Sequence, residues 1–242
     1  MEGIEQNEVA KNYNLITEIW DNNDKWHQRT HKMISKFIYD SLKKIPDLIN
    51  FTALNAGAGG NSYEISVEKL INIDLAYNRI YNSTNPILAN IENMPIKSEK
   101  IDLIICVGSV INYCDPIKVI SEFKRVLKKD AIFILEFEDS QTLELIGTKN
   151  FNKKVVLQDT FYFNRKERLW YFSGMFIKDM LKLHEMKILK TDKCHFISPL
   201  VYRITKNENI ASMFGMFDSF VKYIPYLNRL SSNTIYFARK GS

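Results

Sequence analysis

Residues 51–65 read FTALNAGAGGNSYEI, from Phe51 to Ile65. An apolar run of strand length, 51–56, ends in a Gly-Ala-Gly-Gly turn. Two readings of that turn are open. It is a tight reversal after a buried strand, or it is a loop that lies against a nucleotide-like ligand. Gly57 and Gly59 have no Cβ, so either backbone or ligand can approach them closely. The rest of the chain decides between the two.

Downstream of the turn, short elements alternate. Residues 61–69 read as a helix, 70–74 as a strand, 75–81 as a short helix and 86–90 as a strand. Residues 101–107 are a strongly apolar strand. Residues 116–128 read as a helix with Pro116 in its first turn, where a missing N–H costs nothing. Residues 131–137 form another strand. This alternation predicts a parallel sheet with helices on both faces. The second half breaks the rhythm. Residues 155–174 show two aromatic-rich extended arms around the polar turn 164–167, a predicted hairpin. Residues 175–184 read as a helix, 186–204 as extended, 209–230 as helical with a break near Pro225, and 233–240 as a last strand, expected to run antiparallel. Upstream, 8–45 carries two stretches of helical apolar spacing around a polar segment, 21–30, read as a loop.

The bulk numbers exclude several classes. Of 242 residues, 45% are hydrophobic and 25% charged, ordinary values for a globular chain. The formal charge of +5 is 33 basic minus 28 acidic residues. Scattered Lys and Arg give no basic patch, which argues against nucleic acid as partner. No apolar run reaches the ~20 residues of a membrane helix. The N-terminus is polar and acidic, unlike a signal peptide. The cysteines, Cys106, Cys114 and Cys194, are odd in number and lack zinc spacing, so a reduced, cytoplasmic setting without a metal site is expected.

Asp74 closes the predicted second strand, fifteen residues after Gly59. An acid there can accept bonds from both hydroxyls of a ribose, and ligands of doubly wound sheets bind beyond the carboxyl ends of the strands. A full dinucleotide fingerprint needs a third glycine where Ser62 stands, and no P-loop motif is present.

In order and spacing, these segments resemble the class I S-adenosylmethionine-dependent methyltransferases of small-molecule type. ALNAGAGGNSYE is similar to the family's first motif and INIDLAYNRI to its second. LANIENMPIKSEKIDLIICVGSVINYCDP resembles the stretch up to and past the fourth strand, and EFKRVLKKDAIFILEF the helix and fifth strand after it. YNLITEIWDN is similar to the aromatic N-terminal helix, with Tyr13 and Trp20 at its aromatic positions. The resemblance implies a Rossmann-like, doubly wound seven-stranded sheet, mostly parallel with an antiparallel last strand. It implies one domain over 1–242: an N-terminal helical cap at 1–50, a cofactor core at 51–140, a hairpin lid at 150–172 and a helical insertion at 205–230. The implied cofactor is S-adenosyl-L-methionine, leaving as S-adenosyl-L-homocysteine. Its implied site residues are Tyr13, Asn55, Gly57, Gly59, Asp74 on the ribose, Leu75 on the adenine, the pair Asn90 and Ile91, and Val107 and Gly108. Asn55 stands where the family usually has an acid, which would weaken its hold on the cationic end of the cofactor.

Methyl transfer mainly requires alignment, and a base only where the nucleophile still carries a proton. Candidate bases are His27, Tyr113 and Glu138, with Ser109, Asp139 and His31 nearby in sequence. Candidate substrate residues are Trp20, Trp26, Asn112, Tyr113, Phe161, Phe163 and Trp170. Late aromatics, Met213, Phe214, Phe217, Phe220 and Tyr223, read as lid, core or homodimer face. The expected substrate is a small, partly apolar or aromatic molecule methylated at oxygen or nitrogen. The alternatives are a protein or RNA substrate, a non-catalytic cofactor-binding protein, and a nicotinamide-dependent reductase, the last disfavoured by Ser62.

Overall fold

The computed structural model describes residues 4–16, 25–61, 63–162, 165–205, 207–221 and 224–241. The helices are α1 (Gln6–Asn14), α2 (Lys25–Leu42), α3 (Tyr77–Ile80), α4 (Pro116–Val126), α5 (Gly174–Leu183), α6 (Ser198–Thr205), α7 (Glu208–Val221) and α8 (Pro225–Asn228). The strands are β1 (Thr52–Ala56), β2 (Lys69–Asp74), β3 (Pro86–Leu88), β4 (Ile101–Cys106), β5 (Leu127–Glu138), β6 (Val155–Tyr162), β7 (Arg165–Phe172), β8 (Met186–Cys194) and β9 (Asn233–Lys240).

Seven strands make one sheet in the order β3-β2-β1-β4-β5-β9-β8. The pairs from β3 to β5 are parallel, while β9 runs antiparallel to both β5 and β8. The central strands are apolar on both faces because both faces are covered. Alternate residues feed two separate core layers. Leu54, Ile104, Phe133 and Leu135 pack with Val119, Ile120 and Phe123 of α4. Ala53, Leu103, Ile105, Ile132 and Ile134 pack with Ile34, Phe37, Ile38 and Leu42 of α2. β6 and β7 form a separate two-stranded sheet. α4 begins at Asp115, whose carboxylate accepts the Ile117 N–H, and α5 at Ser173, whose hydroxyl accepts that of Phe176.

Four expectations are corrected. Residues 61–69 are not a helix. Tyr63 and Glu64 are both left-handed, with φ of 52° and 50°, and Asn61 Oδ1 accepts the Tyr63 N–H at 3.0 Å. Tyr63, Ile65 and Val67 alternate and all pack on the α2 layer, a period of two that a helix cannot deliver. The extended reading of 186–204 holds only to Cys194, because Ser198 and Pro199 open α6. Residues 25–30 belong to α2 rather than to a loop. In the hairpin Tyr162 pairs with Arg165, so Lys166 and Glu167 are strand rather than turn.

Gly57, at φ +73°, shows what the turn demands. A Cβ there would lie 2.3 Å from a methyl of Val110. Gly147 has a similar φ of +77° but open space around it. Gly57→Ala is therefore expected to cost about 1–3 kcal/mol more than Gly147→Ala in urea unfolding, since only the first adds a clash to the strain. Equal losses would show that the Val110 contact is not limiting.

Candidate functional site

The parallel strands all end on one edge, and two adjoining cavities open there. The first is lined by Gly57, Ala58 and Gly59 after β1, by Asp74, Leu75 and Ala76 after β2, by Ala89 and Ile91 after β3, and by Val107, Gly108, Val110, Tyr113 and Cys114 after β4. Gln6, Val9, Ala10 and Tyr13 of α1 cover it. Tyr63 completes the wall. It is an apolar slot with one carboxylate at its mouth.

Asp74 is half-buried. Its Oδ2 accepts the Gly59 N–H and its Oδ1 the Ala76 N–H, both at 2.8 Å. The Leu75 N–H also acts on this carboxylate, and two carboxylate oxygens can accept more bonds than these. Burial raises the carboxyl above its usual range, and the backbone N–H bonds oppose that shift. The turn's own N–H groups work differently from expectation. Those of Gly57 and Ala58 donate to the Ile73 carbonyl, at 2.8 and 2.9 Å, and no helix follows to add its N-terminus. The loop thus offers shape and closeness rather than free donors.

Of the expected cofactor residues, Tyr13, Gly57, Gly59, Asp74, Leu75, Ile91, Val107 and Gly108 come together in this slot. Asn55 and Asn90 do not line it. Asn55 is buried beneath the loop, where its amide donates to the Asn61 carbonyl and, at 3.1 Å, to Asn72 Oδ1. Asn90 Oδ1 accepts the Glu92 N–H at 2.8 Å, an ordinary turn bond.

The second cavity shares Tyr13, Gly108 and Tyr113 with the first and has a volume of about 990 Å³ including its open mouth. Its floor carries Glu136 and Glu138 of β5, with Ser109, Ser232 and Asn233; its walls carry Glu144, Thr160, Leu169, Tyr171, His195, Pro199 and Tyr202, and α2 contributes His27 and Thr30. Ser109, left-handed at φ 59°, donates its N–H to Glu136 Oε2 at 2.6 Å and its hydroxyl to Glu138 Oε1 at 3.0 Å. Burial and the neighbouring Glu136 push Glu138 up to about 8. Burial, then Arg29 and His27, hold His195 down at about 3.

The three candidate bases, His27, Tyr113 and Glu138, all line this cavity. Tyr113 is engaged: it accepts from the Tyr13 hydroxyl at 3.1 Å and donates to Glu167 of β7. Gln6 Nε2 donates to the Tyr113 carbonyl at 2.5 Å. Cap helix, fourth-strand loop and hairpin are thereby tied into one chain.

Other expectations fail. Asn112 is fully buried and holds the Trp170 carbonyl at 2.5 Å, so both residues brace the hairpin and neither lines a cavity. Asp139 is buried in an ion pair with Lys193 at 2.7 Å. His31 stacks near Tyr63, outside both cavities. Met213, Phe214, Phe217 and Phe220 are exposed on α7. Trp20, Phe163 and Tyr223 lie outside the described residues, as do the side chains of Trp26 and Phe161. Glu136, His195, Asn233 and the α1 lining were not foreseen. Only Glu136 had a signal, a charge inside the apolar run 131–137. Among the described residues no group of three or more His, Cys, Asp or Glu is placed to hold a metal, and no helix is long and apolar enough to cross a membrane.

Residues 54–135 match the family described as a methyltransferase domain. A tRNA U34 carboxymethyltransferase of Campylobacter jejuni is 32% identical over 69 residues, 27% of this chain and 24% of that protein. The match thus spans about a quarter of the curated relative's length. Among solved structures, a geranyl diphosphate C-methyltransferase from Streptomyces coelicolor, complexed with Mg2+, geranyl diphosphate and S-adenosyl-L-homocysteine, superposes with a TM-score of 0.63 at 11% identity over 98% of each chain. The cyclase SpnF superposes with a TM-score of 0.61 at 13% identity over 100% of this chain and 99% of that one. These likenesses establish a shared fold.

Tyr113→Phe removes the link between Tyr13 and Glu167. A loss of about 1–3 kcal/mol is expected in urea unfolding, with faster amide exchange across residues 6–14. Unchanged exchange there would show that α1 is held by packing alone.

Proposed function

We propose that this chain is a class I S-adenosylmethionine-dependent methyltransferase that methylates a small molecule at oxygen or nitrogen, a reading supported by the 54–135 methyltransferase-domain match and by the fold. The observation that carries the reading is the pair of adjoining cavities: an apolar slot with Asp74 at its mouth, opening past Tyr13 and Tyr113 into a polar acceptor chamber.

The slot suits the cofactor. Leu75, Ala89 and Ile91 offer apolar walls to a flat base, and the half-buried Asp74 carboxylate can accept from a ribose hydroxyl. Gly57 and Gly59 allow the backbone to come close. Asn55, which an acid would usually replace, donates to the Asn61 carbonyl as no carboxylate could, so it supports the loop's shape. When bound, S-adenosylmethionine supplies an electrophilic methyl and carries off the electron pair of the bond that breaks. The chain's share is to align the acceptor and exclude water. α1, tied down through Gln6, Tyr13 and Tyr113, serves the second task.

The small-molecule reading rests on enclosure. The acceptor chamber is walled by α2, the hairpin, the 195–202 segment and β9, as ligand sites between packed elements commonly are. RNA is the second reading, favoured by the partial likeness to the tRNA enzyme. The rim between α1 and the hairpin opposes it: among the described residues its lining carries Glu5, Glu8, Asp159 and Glu167 against Arg168. Phosphates would meet net negative charge there. We place the protein in the cytoplasm, on its cysteine usage.

Calorimetric titration tests the cofactor. Micromolar binding of S-adenosylhomocysteine and none of NAD is expected. Asp74→Ala should weaken that binding about 10–100-fold, by loss of charge-assisted bonds. A dissociation constant unmoved by the substitution would remove Asp74 from the site.

A further inference from the structure

The acceptor chamber has an unbalanced charge. Glu136 and Glu138 stand two apart on β5 and so point to one face. Asn233 Nδ2 bridges them, donating to Glu136 at 2.5 Å and Glu138 at 3.1 Å. Glu136 is sealed at 1% exposure, with both oxygens engaged by Asn233 and Ser109. Glu138 differs. Both its protein donors reach Oε1, so Oε2 is the oxygen left for a ligand. A third carboxylate, Glu144, receives the Tyr171 hydroxyl and acts on Glu138 across the same cavity.

No lysine or arginine lines this chamber among the described residues. Two arginines act on it from behind the lining: Arg29, beside Gly215, on His195, and Arg203, which donates to the Glu144 carbonyl, on Tyr171. Of the imidazoles, His195 bonds Thr30 Oγ1 at 2.9 Å and is held neutral by burial, and His27 is the other. Carboxylates gathered in a low dielectric repel one another and lose hydration. A cation from outside the chain would relieve both costs. Tyrosine rings at 13, 113, 171 and 202 stand around the same space and can face a cationic nitrogen.

We propose, building on the methyl-transfer reading, that the acceptor is an amine that enters as an ammonium, is held by Glu138, and gives its proton to Glu138 Oε2. One N–H bond breaks and one O–H bond forms on Glu138. The lone pair so freed forms the new N–C bond as the C–S bond breaks, and that electron pair stays on sulfur, leaving a neutral thioether. The product nitrogen again carries the positive charge, and Glu138 returns its proton to solvent. An anionic acceptor is excluded by the same charges.

The test is calorimetry on the full chain saturated with S-adenosylhomocysteine. Benzylamine and phenethylamine are compared with benzyl alcohol, phenethyl alcohol and phenylacetate. The amines should bind about tenfold or more tightly than the matching alcohols, and phenylacetate least of all. Amine affinity should rise about tenfold from pH 7 to pH 9. Glu138, held near 8, is neutral below that range and charged above it, while an alkylammonium stays protonated to about 10. Glu136, Glu144, His27, His195 and Tyr171 face the same space, so Glu138→Gln is the deciding variant: it should abolish both the pH rise and the amine preference. Glu144→Gln, in the same lining, should weaken amine binding severalfold and serves if the first variant does not fold. Amines binding no better than alcohols, or a pH rise that survives Glu138→Gln, overturns the proposal. Absent S-adenosylhomocysteine binding instead overturns the methyl-transfer reading, and the proton-accepting role of Glu138 falls with it.

Discussion

A parallel strand in the middle of this sheet has no wet face. β1, β4 and β5 are covered by α2 on one side and α4 on the other, so most of the side chains along their central stretches are apolar. Polar chemistry is thereby pushed to the carboxyl edge. Asp74 terminates β2, Ser109 follows β4, and Glu136 and Glu138 occupy the last turn of the pleat in β5. Everything the molecule can do with a ligand depends on that displacement of polar groups to one edge.

Much of this was legible because burial writes itself into apolar runs. Residues 51–56, 101–107 and 131–137 read as buried strands from their apolar runs, while the polar 128–130 hid the early start of β5 at Leu127. Asp74 was legible for the opposite reason, as a carboxylate at the boundary of such a run. The helix expected at 61–69 failed because its apolar residues, Tyr63, Ile65 and Val67, alternate rather than recur at three and four. The pattern was present and pointed to an extended path across the α2 layer. α6 also carried a signal, Ser198 followed by Pro199, which marks a helix start.

The unforeseen site residues share one property: tertiary pairing brings them in. Asn233 sits opposite Glu138 in the antiparallel register of β5 with β9, almost a hundred residues away in sequence. Gln6, Val9 and Ala10 reach the slot because α1 is tied to Tyr113, not because of any local motif. His195 arrives at the end of β8, left-handed at φ 60°, at the point where the chain turns from strand into α6. No spacing rule could place these. Asn55 shows the reverse error, a residue whose motif position suggested ligand contact. Its amide is instead part of the loop's scaffold, a role that needs a donor and so favours Asn over Asp.

The two cavities differ in electrostatic character across a distance of one tyrosine ring. The cofactor slot has largely apolar walls and a single carboxylate, Asp74, in its lining. The acceptor chamber has three carboxylates, one of them held partly neutral by its neighbours. Tyr13 and Tyr113 stand at the boundary, and burial keeps both phenols protonated. Neutral hydroxyls in that position neither attract a cation away from the chamber nor add negative charge beside the slot. A sulfonium on one side and an ammonium on the other would repel if both stayed charged. Removing one proton at Glu138 resolves that conflict at the moment the nitrogen needs its lone pair. The same carboxylate that attracts the acceptor also makes its approach to a second cation tolerable.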